Sequence, residues 1–379
     1  MHKKLIAFLS VLSLTLPTDI SNSANLTEKD KKYAQIPYIA WNEFASLSKL
    51  SDQKVKVIMH SSTSVDQYSK VLYQRGIENL LNKFSQVFTK EDTFHIIMAS
   101  NYSDAERLIS KVNSELPNYI EYNKRHLSVA KDNLIDGKMY FSGGTSSRGC
   151  LYQGSIYGDK GISVTPCPEL RGGVIYFFNS NPSQITWIER VGAHEAMHLV
   201  MSKINPMSHY RVPDWIIEGT IEGISFAQVT NSQNYKQQNY FFNPTPNWRP
   251  LIQGQPYELS NLDNQNSGDD RFSIGFLATA LLISEVGMDK YYKFISTMGY
   301  PKDWKSDFME TFGFSAEDFY KKFRDYHSWY FYENGFEVIQ GTNYFGSTNK
   351  KTTITCIKDK TTKKFIGANP KCPAGYRKK

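Results

Sequence analysis

The first third of the chain alternates between short apolar segments and longer segments with helical spacing, and this alternation limits the folds open to it. Residues 55–64 (VKVIMHSSTS) and 93–100 (TFHIIMAS) have the composition of buried strands. Apolar positions three and four apart follow each of them. The first such run covers 65–88, and the second begins with a capping box of Ser103 and Glu106. The pattern predicts a layered unit of strands and helices.

The rest of the chain, up to about residue 333, is predominantly helical by its pattern. Residues 172–180 (GGVIYFFNS) predict one further strand. Helical segments follow from Pro182 to about Lys203, over 212–229, and as several helices over 272–333. A small mixed sheet followed by a mostly helical part gives the class α+β.

The N-terminus has the layout of a secretory signal peptide. A basic start precedes the apolar residues 5–16, and small polar residues follow; the apolar run is too short to span a bilayer. We expect a signal peptide at 1–24 with cleavage after Ala24, and a soluble protein that is secreted or held at the cell surface. A retained membrane anchor is the alternative. Residues 25–53 are interpreted as a polar N-terminal segment.

The four cysteines fit an oxidising compartment. They form two pairs that are close in sequence, Cys150 with Cys167 and Cys356 with Cys372, and neither pair has the two-residue spacing of a zinc knuckle. Four cysteines allow three connectivities, and short sequence separation favours this one. We therefore predict two local disulfides.

Basic charge is concentrated at the C-terminus. The chain has a net charge of +7, whereas residues 350–379 alone hold ten Lys and Arg against the single Asp359. We interpret 336–349 as a linker and 350–379 as a basic hairpin tied by one disulfide, similar to short cysteine-paired caps of secreted bacterial proteins. Its charge favours binding to an anionic cell-wall or membrane surface, with a solvated cap as the alternative. Nucleic-acid binding is not expected, because few aromatic side chains accompany the charge.

Residues 191–200 (VGAHEAMHLV) place two histidines four positions apart within a predicted helix. Positions four apart lie on one helix face, so His194 and His198 can bind one metal ion through two nitrogens. Glu195 is rotated by about 100° from His194, where it can reach a water on the ion without binding the ion itself. Zinc-dependent hydrolysis requires this division of roles. The alternative is that both histidines are ordinary polar residues beside a packed helix face.

The candidate third ligand lies in the next helix. Zinc hydrolases with three histidine ligands need Gly and His where this chain has Met201 and Ile204, so that class is excluded. Another large class uses a glutamate some twenty residues on, and Glu218 stands at that distance from the second histidine. Glu222, one turn further, can accept a hydrogen bond from a ligating imidazole and fix its tautomer. His209 is the alternative third ligand, and a solvated helix face is the alternative role for the glutamates.

HEAMH at 194–198, followed by PDWIIEGTIEG at 213–223, resembles the gluzincin metallopeptidases, the group that includes thermolysin, the aminopeptidases and the bacterial collagenases. The resemblance extends over about 54–330, with specific motifs only in 185–225. It implies a zincin-like fold for a domain at 54–335, with the zinc site between a small mixed sheet and a mostly helical part.

The resemblance also implies a role for each motif residue. His194, His198 and Glu218 would bind one catalytic Zn²⁺, and Glu222 would be the outer carboxylate. Glu195 would be the general base and proton shuttle. The strand at 172–180 would be the sheet edge that pairs with an extended peptide or protein substrate.

Two departures from the family pattern bear on activity. The Gly-x-Met-Glu-Asn segment of aminopeptidases is absent, which favours an endopeptidase. Where collagenase-like relatives have a tyrosine before a glycine, this chain has Phe272 before Gly275, so Tyr257, Tyr291 and His209 remain the candidates for oxyanion stabilisation. We expect an exported zinc metallopeptidase that uses a zinc-bound water activated by the motif glutamate. The alternative is a non-catalytic zinc-binding scaffold that acts as a surface-binding or assembly protein.

Overall fold

The structure is a computed structural model of the chain. It describes residues 26–47, 55–116, 120–132, 134–135, 138–139, 144–146, 172–180, 182, 187–205, 212–229, 257–263, 270–299, 302–333, 335, 338–339, 352–358, 361–367 and 377–378.

Most of the described residues are helical. The helices are α1 (Glu28–Ala34), α2 (Ile36–Ser46), α3 (Gln67–Lys83), α4 (Tyr102–Glu115), α5 (Ile120–Asp132), α6 (Ile188–Ile204), α7 (Asp214–Val229), α8 (Asp270–Val286), α9 (Met288–Thr297), α10 (Trp304–Phe312) and α11 (Ala316–Tyr332). The strands are β1 (Lys56–Ser61), β2 (Thr93–Ala99), β3 (Leu134–Ile135), β4 (Lys138–Met139), β5 (Gly144–Ser146), β6 (Gly172–Phe178), β7 (Thr352–Lys358), β8 (Thr361–Gly367) and β9 (Arg377–Lys378).

The main sheet has the strand order β1–β2–β6–β5. β1, β2 and β6 run parallel, and β5 is antiparallel to β6. Parallel neighbours need a crossover connection, and α3 supplies it between β1 and β2. The strands predicted at 55–64, 93–100 and 172–180 are confirmed, and the architecture is consistent with the predicted α+β class.

Strand β6 is an interior strand, which corrects its expected role as the peptide-binding edge. It pairs with β2 along its whole length and with β5 through Val174–Tyr176. All of its residues are buried, because helices cover both faces and strands cover both edges. Among the described strands, the outer one on this side is β5.

Two cores pack on opposite faces of the main sheet. Alternate strand residues point to opposite faces, so Ile96 and Phe177 join the core formed with α3 and α6. Ile97 and Tyr176 join the core under α4 and α5. Helix α6, which carries the two motif histidines, therefore lies on one face only.

A close helix crossing fixes the position of α7. At its contact with α8, a Cβ on Gly219 would lie 2.1 Å from the carbonyl oxygen of Gly275, so the two backbones can approach this closely only at glycine. Trp215, one turn earlier, is fully buried and stacks on Phe319 of α11 at a centroid distance of 5.5 Å. Truncating a buried ring of this kind costs about 3–5 kcal/mol. The packing holds α7 in a defined register beside α6.

Two predicted helix starts are wrong. Helix α4 has Asn101 as its N-cap, whose side chain accepts a hydrogen bond from the backbone N–H of Asp104, so the capping box at Ser103 does not form. Asparagine caps a helix as well as serine does, and here it comes first along the chain. Helix α6 begins at Ile188, six residues after the predicted start at Pro182, where the helix enters the buried core.

Residues 26–47, interpreted from the sequence as part of a polar segment, form two helices that pack into the main core. Ala34 and Ala40 are fully buried there. Phe44 is buried against α7, where a Cβ on Gly223 would lie 2.2 Å from its ring. The apolar residues that α2 buries at intervals of four positions determine its position.

Polar contacts also join the N-terminal helices to the helical half. Glu43 accepts a hydrogen bond of 3.0 Å from the backbone N–H of Met288, at the first turn of α9. Trp329 of α11 donates its indole N–H to Asp30 of α1 at 2.7 Å. Both contacts connect residues that are more than 240 positions apart in the chain. The N-terminal helices are thus part of the same packed unit.

The C-terminal residues form a small sheet of their own. β7 and β8 are antiparallel, which confirms the predicted hairpin, and β9 adds to β7 on its other side. Cys356 lies in β7, whereas Cys150, Cys167 and Cys372 lie outside the described residues, as does the signal peptide expected at 1–24.

Among the helices that the structure describes, none has by itself the length and apolar character required to cross a membrane. One pair, Arg271–Val286 with Met288–Thr297, meets this requirement jointly and is bent by 119°.

Candidate metal centre

Helix α6 brings His194, Glu195 and His198 into a buried environment. Nearly every residue of this helix from Ile188 to Met201 is buried, because it packs on the sheet, α3 and α7. The two histidine rings lie on one face, 5.0 Å apart between centroids and at 75° to each other. The spacing of four therefore produces the shared face expected from the sequence.

Helix α7 places Glu218 opposite the two rings. Its Oε2 atom lies 3.4 Å from His194 Nε2 and 3.6 Å from His198 Nε2. One ligand atom from each of the three residues lies within 4.8 Å of the others. We call these three residues the helix cluster.

The helix cluster fits a zinc ion. With metal–ligand bonds of about 2.0–2.2 Å, tetrahedral ligands lie roughly 3.3 Å apart, close to the observed distances from Glu218 Oε2. This oxygen is buried and accepts no hydrogen bond from the described residues. A buried carboxylate oxygen without a donor is costly unless a cation binds it. The donor set of two imidazoles and one carboxylate is that of a catalytic zinc site with one open position.

Glu222 lies behind the helix cluster and connects it to Arg190. Its Oε1 is 3.0 Å from His194 Nδ1, an ion-pair distance at an angle unfavourable for a hydrogen bond. Its Oε2 accepts a hydrogen bond from Arg190 Nη1. The guanidinium also lies over the rings of Trp187 and Phe226, at 5.1 and 4.6 Å. The outer carboxylate therefore occupies the position expected from the sequence and is itself held in place by an arginine.

The buried carboxylates make the centre strongly attractive to cations. Burial alone would raise the pKa of Glu218 and of Glu222, but the neighbouring cationic groups outweigh it and lower both pKa values. Burial opposes the charge on His194 as well, yet the two glutamate carboxylates beside it raise its pKa to about 10. Metal binding would replace that proton, so zinc uptake is coupled to proton release.

Glu195 is buried but is not part of the ligand set. Burial raises its pKa to about 7; the charge of His194 opposes this rise, and the Glu218 and Glu222 charges add to it. A carboxylate with its pKa near neutrality can both accept and release a proton at the working pH. These properties suit a proton shuttle.

The residues considered for oxyanion stabilisation lie in different surroundings. Tyr291 is fully buried, and its hydroxyl is 2.5 Å from Thr220 Oγ1, so it is engaged within the core. Tyr257 lies beside His327 of α11, with ring centroids 6.2 Å apart. Phe272 does reach the centre, at 5.7 Å from the His194 ring, but it has no polar group. His209 lies outside the described residues.

Sequence analysis missed two arginines at this centre. Arg271 lies over the Phe272 ring at 4.8 Å, and its charge acts to lower the pKa of both Glu195 and Glu218. Its buried Nε has no hydrogen-bond partner among the described residues. Arg190 precedes His194 by four positions, which is one helical turn. It could therefore have been found from the sequence by examining the residue one turn before the motif.

Comparison of the chain with models of protein families, with curated proteins and with solved structures gave no match.

Proposed function

We propose that this protein is an exported zinc-dependent metallopeptidase, most simply an endopeptidase, of the gluzincin type. The observation that carries the proposal is the convergence of two imidazole nitrogens on the unpartnered, buried Oε2 of Glu218. Glu195 lies on the same helix, next to the first ligand. A purely structural site has no use for this additional buried carboxylate.

His194, His198 and Glu218 would hold the ion. When bound, zinc supplies a Lewis acid that polarises the scissile carbonyl and lowers the pKa of water. Glu195 takes a proton from the attacking water and delivers it to the departing amine. Glu222 and Arg190 hold the His194 ring in one orientation, which keeps its Nε2 directed at Glu218.

Arg271 is the described residue best suited to bind the carbonyl oxygen of the substrate. It begins the helix that also carries Phe272, its side chain is about one-third exposed, and its charge reaches Glu195 and Glu218. The guanidinium donates hydrogen bonds in a fixed planar geometry and remains charged at any relevant pH. It would supply the polar donor that the phenylalanine lacks.

An extended peptide would bind along β5. This strand is the outer one on its side of the described sheet, is antiparallel to β6 and contacts α6. Among the described strands β5 pairs with β6 alone, so a substrate would add to its other edge by strand addition. The basic module at 350–379 would hold the enzyme near an anionic cell-wall or membrane surface.

The test is cleavage of a diverse peptide library by the zinc-loaded mature chain, with Glu195→Gln as the matched variant. We expect zinc retention in both and a loss of turnover of about 10²–10⁴-fold in the variant. Equal cleavage by both proteins would remove Glu195 from the mechanism. Zinc bound by both with no cleavage by either would favour the non-catalytic scaffold.

A further inference from the structure

A second pair of histidines lies in the main sheet, on the face covered by α4. His60 belongs to β1 and His95 to β2. In the parallel register Ile58 is opposite His95, so His60 lies two residues further along the same face. His60 Nε2 and His95 Nδ1 are 3.0 Å apart, and both rings are buried. Two buried imidazoles thus meet on one face of the sheet.

Helix α4 brings a carboxylate to the same place. It follows β2, packs back against it and ends at Glu115. One nitrogen of each ring and one carboxylate oxygen of Glu115 lie within 4.8 Å of one another. Glu115 is exposed, so its side chain can turn toward the rings. Side chains from two neighbouring strands and one helix therefore converge on one point.

We propose that His60, His95 and Glu115 bind a second divalent ion of the zinc class, separate from the helix cluster. We call these three residues the sheet cluster. Imidazole and carboxylate donors suit Zn²⁺, Co²⁺ and Ni²⁺, and water would complete a tetrahedral site. The proposal is independent of the peptidase activity proposed above.

The existing geometry is close to that of a loaded site. The nitrogen separation of 3.0 Å is slightly shorter than the roughly 3.3 Å between tetrahedral ligands. The rings are nearly parallel, at 8°, and share one hydrogen between the two facing nitrogens. An ion would take the place of that hydrogen, and each ring would turn by roughly 35° to direct its lone pair at the metal.

Near the sheet cluster, a carboxylate favours the binding of a cation and two lysines oppose it. Burial lowers the pKa of His60 and of His95. Glu115 supplies negative charge to both rings, whereas Lys111 acts on His60 and Lys56 on His95 in the opposite sense. The ion would cross-link the outer strand β1, the neighbouring β2 and the end of α4.

The test counts zinc ions per full-length mature chain after loading and dialysis, with tetrahedral Co²⁺ absorption as a second readout. The wild type should bind two ions. His194→Ala/His198→Ala should bind one, and so should His60→Gln/His95→Gln. In the His194→Ala/His198→Ala background, Glu115→Gln should weaken the remaining site by at least about tenfold. Lys111→Gln should tighten it, because the variant removes a repelling cation.

The outcomes separate the two sites. No ion bound by His194→Ala/His198→Ala would overturn the sheet cluster and leave the peptidase proposal intact. One ion in that variant and none in His60→Gln/His95→Gln would support the sheet cluster and overturn the helix cluster. If the double glutamine variant fails to fold by circular dichroism, the surface change Glu115→Gln decides: unchanged affinity would reject the site.

Discussion

The helix cluster and the sheet cluster contain the same side chains, two histidines and one glutamate, but the chain assembles them by different means. In the helix cluster the two histidines are four residues apart on one helix, and a local rule predicts that they meet. In the sheet cluster the histidines are 35 residues apart and meet only through strand register. A metal site can therefore be found from sequence when a helix builds it and remains hidden when a sheet does.

Their surroundings differ as much as their construction. The helix cluster has a buried carboxylate beside it, Glu195, and an outer shell formed by Glu222 and Arg190. The sheet cluster is flanked by the apolar residues of the α4 face and by two lysines at its margin. The first can carry out proton transfer, whereas the second can only bind. The predictions below test this contrast from the largest expected effect to the smallest.

Loss of the ligand carboxylate should have the largest effect. Glu218→Gln removes the charge that faces both imidazoles, so zinc affinity of the helix cluster should fall by more than the roughly 100-fold that an outer-shell change costs. The affinity is measured by competition with a chromogenic chelator. The sheet cluster should be unaffected, since its ligands lie on the other face of the sheet. If Glu218→Gln kept full zinc affinity, the third ligand would be another residue, and His209 would be the first to test.

Removal of the arginine behind the helix cluster should have an intermediate effect. Arg190→Met leaves Glu222 buried without its cationic partner, and zinc affinity should fall by about 10- to 100-fold. Arg75→Met is the matched control. Arg75 holds another buried glutamate of α6, Glu189, through a bidentate contact of 2.8 and 2.5 Å. Both variants should lose stability in urea, and only Arg190→Met should lose zinc affinity; equal losses of zinc affinity would mean that Arg190 acts through stability alone.

Substitution of a buried histidine outside both clusters should have the smallest effect, and the quantity affected is the pH dependence of stability. Burial lowers the pKa of His327 from 6.5 to about 4. Below pH 6.5 the unfolded chain takes up a proton that the folded chain does not, so stability is present above pH 6.5 and is lost as the pH falls toward 4. Between pH 7 and 5.5 this residue should account for about 1 kcal/mol of that loss.

The measurement for His327 is urea unfolding of metal-free protein at both pH values. His327→Gln should show a smaller difference between the two pH values than the wild type does, even if it is less stable at each. An unchanged difference would mean that the ring is protonated in the folded state.

The parts of this molecule that were predictable are those governed by local rules. Strands 55–64, 93–100 and 172–180 follow from apolar runs, and the shared face of His194 and His198 follows from helical periodicity. Glu218 could be predicted as a candidate ligand from a family resemblance, because only a short connection separates α6 from α7. In each case the residues involved belong to one strand or helix, or to two consecutive helices.

The parts that were missed depend on tertiary packing. Strand β5 has only three paired residues, too few to show a pattern, and it makes β6 an interior strand. The helices within 26–47 include many polar residues, and their apolar residues are buried only by packing against distant helices, chiefly α7 and α8. Arg271 lies in the first turn of α8, a helix whose approach to the centre no local rule predicts. The register of the strands, the strand that covers a sheet edge and the position of a helix on the core all depend on the packing of the whole core.

The hydrogen bond between Asp30 and Trp329 has a consequence for how the chain reaches this structure. The two residues are 299 positions apart, which a ribosome takes roughly 15–60 s to add at 5–20 residues per second. For all of that time the carboxylate of Asp30 lacks the indole N–H that it binds in the folded protein. The first and last helices can therefore come together only after nearly all of the chain has been made.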